Sequence, residues 1–131
     1  MTSTWSEDEL QTIEGDHEVV LAARRADGTL TRGVTIWIVR VGAEVFVRSA
    51  HGARNRWFAR AVAAGAGHIT IGGVSRDVVF QDASAGSSHP ADGDALDRAY
   101  HSKYDAAYPK QYVDPVVDEA SHGATLRLLP A

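Results

Sequence analysis

The densest run of alternating apolar and polar residues extends from Thr31 to Val41, rich in branched side chains and carrying Trp37. Such a run predicts a strand. Gly42-Ala43 follows, and a glycine in that place supplies the positive φ of a two-residue type II′ hairpin turn. Glu44 to Ser49 is then the partner strand, with Val41 facing Glu44, Val39 facing Phe46 and Trp37 facing Arg48. Alternation puts Thr35, Trp37, Val39, Phe46 and Arg48 on one face. Val34, Ile36, Ile38, Val45, Val47 and Ser49 fall on the other. Both faces are largely apolar, so the hairpin is expected to be covered twice. One face suits a barrel interior; the other needs a helix, a subunit or a ligand.

The remaining pattern supplies four more strands. Glu18 to Arg25 leads into an Ala26-Asp-Gly-Thr29 turn. His68 to Ile71 and Val74 to Phe80 form a second hairpin through Gly72-Gly73, a type I′ signal, and Thr125 to Leu129 closes the set. Ser6-Glu-Asp-Glu9 is a capping box, with Trp5 and Leu10 placed as a staple, for a helix from Glu7 to about Glu14 that plugs one barrel end. Asn55 is placed to cap a helix from Arg56 to Ala64, with Trp57, Phe58, Ala61 and Val62 as its apolar stripe and Gly65 at its end. Residues 81–93 read as a mobile polar loop. A helix is expected from about Asp94 to Tyr108, and Asp114-Pro115 marks the start of another. The expected fold is mainly β (α+β). Residues 1–131 form a single domain, a six-stranded antiparallel barrel with added helices, in which residues 1–15 are the N-terminal helical segment. Closure removes the edges that short strands would otherwise expose.

Composition narrows the chemistry. The chain has no cysteine, which excludes a disulfide framework, a thiolate nucleophile and any cysteine-containing zinc site. No apolar run approaches the ~20 residues of a membrane span. The acidic N-terminus has no signal-peptide core, so a cytoplasmic protein without membrane association is expected. The net charge of −4 conceals an asymmetry: residues 24–60 hold eight arginines against Asp27 and Glu44. A basic middle on an acidic body suggests a localised anionic ligand; a nucleic-acid surface would favour a broadly basic domain.

Four groupings could carry chemistry. Arg48, Ser49, His51, Gly52, Arg54 and Arg56 precede or open a helix. Basic residues there oppose the helix dipole by roughly 0.3–1 kcal/mol each, unless an anion such as phosphate sits among them. Trp37 beside Arg48 offers a platform for a planar ring with a polar edge. His68 opposite Asp77 is either an acid–base pair or a surface ion pair. Asp97 and His101 lie four apart on a helix, next to Tyr100 and Tyr104, but no third ligand follows at metal-binding spacing, so no metal is expected. No Gly-x-Ser-x-Gly elbow and no phosphate-binding P-loop occur.

Arg32-Gly-Val-Thr-Ile-Trp-Ile-Val39, Val45-Phe-Val-Arg-Ser49, the Gly52 loop and Trp57 together resemble the FMN-binding split-barrel superfamily. Gly72-Gly-Val-Ser-Arg-Asp77, Ala99-Tyr-His-Ser-Lys-Tyr104 and Ala124-Thr-Leu-Arg-Leu128 extend the likeness to an uncharacterised bacterial family within it. Other members are pyridoxamine-phosphate-oxidase-like proteins and deazaflavin-dependent nitroreductases. The resemblance implies a split-barrel homodimer holding FMN or a deazaflavin coenzyme near the subunit interface. The ring would lie against Thr35, Trp37 and the end of the Val47–Ser49 strand, with Arg48, Ser49, Arg54, Arg56 and Trp57 completing the cofactor site. The implied function is an oxidoreductase acting on a small organic molecule, with Tyr100 and Tyr104 on the substrate side and Tyr104 as a catalytic candidate. Here a single Gly52 stands for the family's double glycine, and Asn55-Arg56-Trp57 replaces its proline motif. Two alternatives stay open: a cofactor-free enzyme using His51, His68 and Asp77, and a non-catalytic small-ligand binder.

Overall fold

Ile38 divides the longest apolar run into two strands, and that division closes the sheet. The computed structural model describes residues 4–131. The elements are α1 (Glu7–Gly15), β1 (Glu18–Ala23), β2 (Val34–Trp37), β3 (Val39–Val41), β4 (Glu44–Arg48), α2 (Arg56–Ala64), β5 (Ala66–Ile71), β6 (Val74–Asp82), α3 (Gly93–Tyr104), α4 (Lys110–Val117), α5 (Glu119–His122) and β7 (Thr125–Pro130). All strands pair antiparallel in one sheet, in the order β2-β1-β5-β6-β7-β4-β3. The two edges, β2 and β3, are separated in the chain only by Ile38. The sheet therefore curls into a nearly closed split barrel whose seam is one bent segment. Seven strands replace the expected six for this reason.

The bend has a cause far away in the sequence. Buried backbone groups need hydrogen-bond partners, and Ile38 has left both ladders. Its N–H donates to the Tyr104 hydroxyl at 3.0 Å, and its carbonyl accepts from the Lys103 ammonium at 2.7 Å. The same ammonium donates to the Ile13 carbonyl at 2.7 Å, tying α1 to the seam. Beyond the bend the expected pairing of Trp37 with Arg48 is lost: Trp37 lies opposite Glu18 in β1. On the near side the hairpin keeps its expected register, Val39 with Phe46 and Val41 with Glu44.

The two faces divide as the alternation requires. Ile38, Val45 and Val47 join Val19, Leu21, Ile69, Leu126 and Leu128 in the barrel interior, which Trp5, Leu10 and Ile13 close at the α1 end. The capping box forms as expected, Glu9 N–H donating to Ser6 and Ser6 N–H to Glu9, and the Trp5 indole donates to the Leu128 carbonyl at 3.0 Å. Val39 and Phe46 turn outward and are covered by Leu96, Tyr100, Tyr104, Val113 and Val116 of α3 and α4.

Several local expectations are corrected. Of the glycine pair at the second hairpin only Gly72 takes a positive φ (53°), so the turn is not of type I′, which needs two. Gln81 and Asp82 extend β6, and the segment after them is pinned by Ala83 N–H to Thr125, Ala85 N–H to His122 and Ala91 N–H to Ala83. α3 stops at Tyr104. α4 begins after Pro109, which leaves Pro115 inside it, and Asp114 pairs with Lys110 at 2.8 Å.

Candidate functional site: an aromatic cleft beside the barrel seam

Where the strand bends at Ile38, the outer side of β2 separates from α2 and α4 and leaves a cleft of about 430 Å3. β2 contributes Thr35, Ile36 and Trp37; β4 and its following loop contribute Arg48, Ala50 and Asn55. Trp57 comes from α2, and Tyr108, Tyr112 and Val116 come from α4 and its approach. The lining is mostly apolar. Its volume falls within the ~300–1,000 Å3 typical of small-molecule sites, and its aromatic walls suit a planar guest.

Trp37 is held flat. Its ring stacks on Tyr104 with centroids 4.1 Å apart and planes 5° from parallel, and Tyr108 tilts against it at 4.7 Å. Tyr104 is itself fully buried, its hydroxyl accepting from Ile38 and donating to the His17 carbonyl at 2.5 Å. Burial pushes the phenol pKa of Tyr104 upward, and that of Tyr100 likewise. Tyr100 and Tyr104 therefore back the wall and do not line it, contrary to the expectation of a substrate-facing pair.

Arg48 reaches the cleft wall but spends its donors on the protein. Only 3% exposed, it gives Nη1 to Asp97 at 2.5 Å and to the Val116 carbonyl at 2.8 Å, and Nη2 to the Gly93 carbonyl at 3.2 Å. Asp97 also meets Nε2 of His122 at 3.0 Å, so this network clamps α3, α4 and α5 onto β4. Asp97 is thus not paired with His101, which sits against Asp105 at 2.9 Å on an exposed face.

The loop after β4 is shaped by Asn55. Its amide donates to Ser49 Oγ at 2.8 Å and to the Ala50 carbonyl at 2.6 Å, and Ser49 Oγ donates to the Gly52 carbonyl at 2.6 Å. Asn55 precedes α2 as expected but makes no side-chain capping bond, because its amide is committed to that loop. His51 at the loop's apex has a φ of 66°, an uncommon conformation for a side-chain-bearing residue.

Of the cofactor residues expected from sequence, Thr35, Trp37, Arg48 and Trp57 meet at the cleft. Ser49 is buried just behind it. Arg54 and Arg56 are exposed, do not line it, and do not converge with the buried Arg48. His68 and Asp77 do face each other, at 2.8 Å, but on the outside of β5–β6, where Ser75 takes the other ring nitrogen and Arg24 reaches Asp77 at 3.2 Å. The His68 hydrogen bond holds the Asp77 carboxyl below its ordinary pKa. His51, His68, Asp77 and Tyr104 are all absent from the cleft lining. Sequence reasoning missed Tyr108, Tyr112 and Val116. The signal was the spacing Tyr104, Tyr108, Tyr112 with Pro109 between, which turns the last two toward the opening.

Among the described residues no three His, Asp or Glu side chains form a metal-holding group, and no helix is long and apolar enough to cross a membrane. The profile of a family described as "Uncharacterized protein conserved in bacteria (DUF2255)" matches residues 9–128. No curated protein matches in sequence. Among solved structures, a conserved hypothetical protein, Rv2991 from Mycobacterium tuberculosis, is similar at a TM-score of 0.59 and 15% identity, over 97% of this chain and 80% of that one. A structure titled "F420 Reductase" is similar at a TM-score of 0.62 and 15% identity, over 97% of this chain and 96% of that one. At such identity these likenesses establish the fold.

Proposed function

The chain belongs to the DUF2255 family, a bacterial family with a split-barrel fold, and from that premise we propose that it binds a planar redox cofactor, FMN or a deazaflavin, and serves as an oxidoreductase on a small organic molecule. The observation that carries this reading is the preformed wall of Trp37 on Tyr104, with Trp57, Tyr108 and Tyr112 on the same cleft. That one structure of this fold is titled an F420 reductase adds support.

The residues present fit such a ring. Trp37 and Trp57 would stack on it, the Thr35 hydroxyl and Asn55 Oδ1 offer polar contacts, and the Arg48–Asp97 pair holds the wall behind them in place. Bound there, the cofactor would supply hydride chemistry. The chain's own part is to orient the ring and keep water from one of its faces. Among the described residues the titratable side chains lining the cleft are Arg48, Tyr108 and Tyr112. No carboxylate or imidazole lines it directly, and the nearest imidazole, His17, meets it only through the Tyr108 hydroxyl at 3.4 Å, which favours this reading over one using His51, His68 and Asp77. A homodimer belongs to the same proposal, and Tyr112, 58% exposed at the mouth, is an aromatic that a second copy would cover.

Titrating the protein with FMN and with the deazaflavin coenzyme, while following tryptophan fluorescence, tests the proposal. Stoichiometric quenching that disappears in Trp37→Ala is expected. Absence of quenching by either cofactor would reject it.

A further inference from the structure

The cleft is the first of three neighbouring hollows, each sharing lining residues with the next. Trp57 is shared between the cleft and a small neighbour lined by Leu21, Ala23, Thr31, Arg32, Val34 and Arg60. Ala23, Thr31 and Arg60 are shared in turn with a third hollow of about 440 Å3, which adds Arg24, Arg25, Ala63 and Ala64. Beyond the Trp57 indole the two hollows form a trough with four arginines between them: Arg32 lines the small one, Arg24 and Arg25 the large one, and Arg60 both. Among the described residues no acidic side chain lines either of the last two hollows.

The arginines are arranged in two ways. Arg24 and Arg25 are braced by their own turn: Arg24 donates to the Gly28 carbonyl at 2.7 Å and Arg25 to the Leu30 carbonyl at 2.6 Å. Arg24 also meets Asp77 at 3.2 Å, the one carboxylate paired with the group. Arg32 and Arg60 have no ion pair and no side-chain hydrogen bond among the described residues. Alanines at positions 23, 63 and 64 leave the floor between them open. Like charges held together are unfavourable unless a counter-charge joins them. In a chain of net charge −4, with carboxylates available elsewhere, Arg32 and Arg60 are left uncompensated.

We propose that this trough is an anion-binding site for a group bearing two or more negative charges, phosphate or carboxylate, met by the guanidinium forks of Arg32 and Arg60, with Arg24 and Arg25 lining the adjoining hollow. It replaces the Arg48, Arg54 and Arg56 convergence that the sequence suggested. The charge argument stands without the cofactor reading; only the reach past Trp57 rests on that reading. The anion comes either from a separate molecule or from the far end of the molecule whose ring fills the cleft.

Calorimetric titration of the full chain separates these cases, with tripolyphosphate, FMN and riboflavin as probes. The variants are Arg32→Gln/Arg60→Gln, whose side chains hold nothing else in place, and Arg98→Gln as a control outside the trough. Tripolyphosphate is expected to bind the parent chain and the control alike, and at least about tenfold more weakly to the double variant. If FMN weakens in the double variant while riboflavin does not, the anion is the far end of the ring-bearing ligand. If both flavins are unaffected, it belongs to a separate molecule; either result supports the trough. Tripolyphosphate binding without any flavin binding would keep the trough and remove the cofactor reading. Failure of tripolyphosphate to bind, or equal binding to parent and double variant, overturns the proposal.

Discussion

Two tyrosines one turn apart on α3 show how much a single hydroxyl depends on its surroundings. Tyr104 and Tyr100 are both fully buried, but the first has its hydroxyl bonded to Ile38 and His17 while the second has no hydrogen-bond partner. The Arg48 backbone amide approaches the Tyr100 oxygen without reaching hydrogen-bond geometry, and the Arg48 guanidinium carbon lies 5.7 Å from the ring centroid. Tyr104→Phe leaves the buried Ile38 N–H and the half-buried His17 carbonyl without their partner and should cost about 1–3 kcal/mol, whereas Tyr100→Phe removes an orphaned hydroxyl and should cost nothing or stabilise slightly. Urea midpoints of the two variants, measured side by side, check the contrast; equal losses would contradict it. Lys103 beside them carries a pH signature. Burial pulls its pKa from 10.5 down to about 8, against the opposing pull of Asp16 and Glu14. The unfolded chain therefore binds the proton that the folded chain has lost between these values, so stability rises with pH across that window. The parent should gain stability relative to Lys103→Met from about pH 8 to 10.5 and keep a constant difference below pH 8. A difference that stays flat over that window would show the ammonium to be well solvated.

At the scale of elements, the loop joining β4 to α2 depends on Asn55, whose amide holds Ser49 and Ala50 together. Asn55→Ala should therefore loosen the cleft wall, weakening ring-ligand binding several-fold while shifting the urea midpoint only slightly; unchanged affinity would show the loop to be held by Ser49 and Gly52 alone. This loop also marks where the sequence stopped being legible. The hairpins could be read because a glycine turn sets the register locally, and the faces followed from period-two alternation, so Thr35, Trp37 and Arg48 were correctly put on the non-core side. Arg54 and Arg56 were misplaced because the direction of a helix N-terminus depends on the loop entering it, and this loop takes a left-handed step at His51 and Gly52. The break at Ile38 was invisible for a different reason. Nothing in Ile36-Trp37-Ile38-Val39 interrupts a strand; what interrupts it is a hydroxyl and an ammonium 66 and 65 positions away. Pro115 misled through a real preference for first turns, overridden here by the earlier Pro109 and by burial of Val113 and Val116.

For the molecule as a whole, closure is uneven. β5, β6 and β7 each have strand neighbours on both sides, while β2 and β3 have one each and meet only through the Ile38 bend and the α3 side chains behind it. Stability in such a barrel should be graded, highest in the middle of the sheet and lowest at the seam. The seam is also where the cleft lies, so the part of the barrel that opens most readily is the part that would receive a ligand. Hydrogen exchange makes this testable. Interior amides of β6 should exchange only through global unfolding, and that of Ile38, held by the Tyr104 hydroxyl, through local opening at a lower free energy. Tyr104→Phe should then accelerate Ile38 far more than any β6 amide. A ring-binding ligand should do the reverse, protecting Ile38 beyond its effect on β6, because Trp37 next to it would be pinned between Tyr104 and the guest. If Ile38 and the β6 amides change in step under both perturbations, the seam does not open separately, and the cleft must be filled without any movement of the strand that forms its wall.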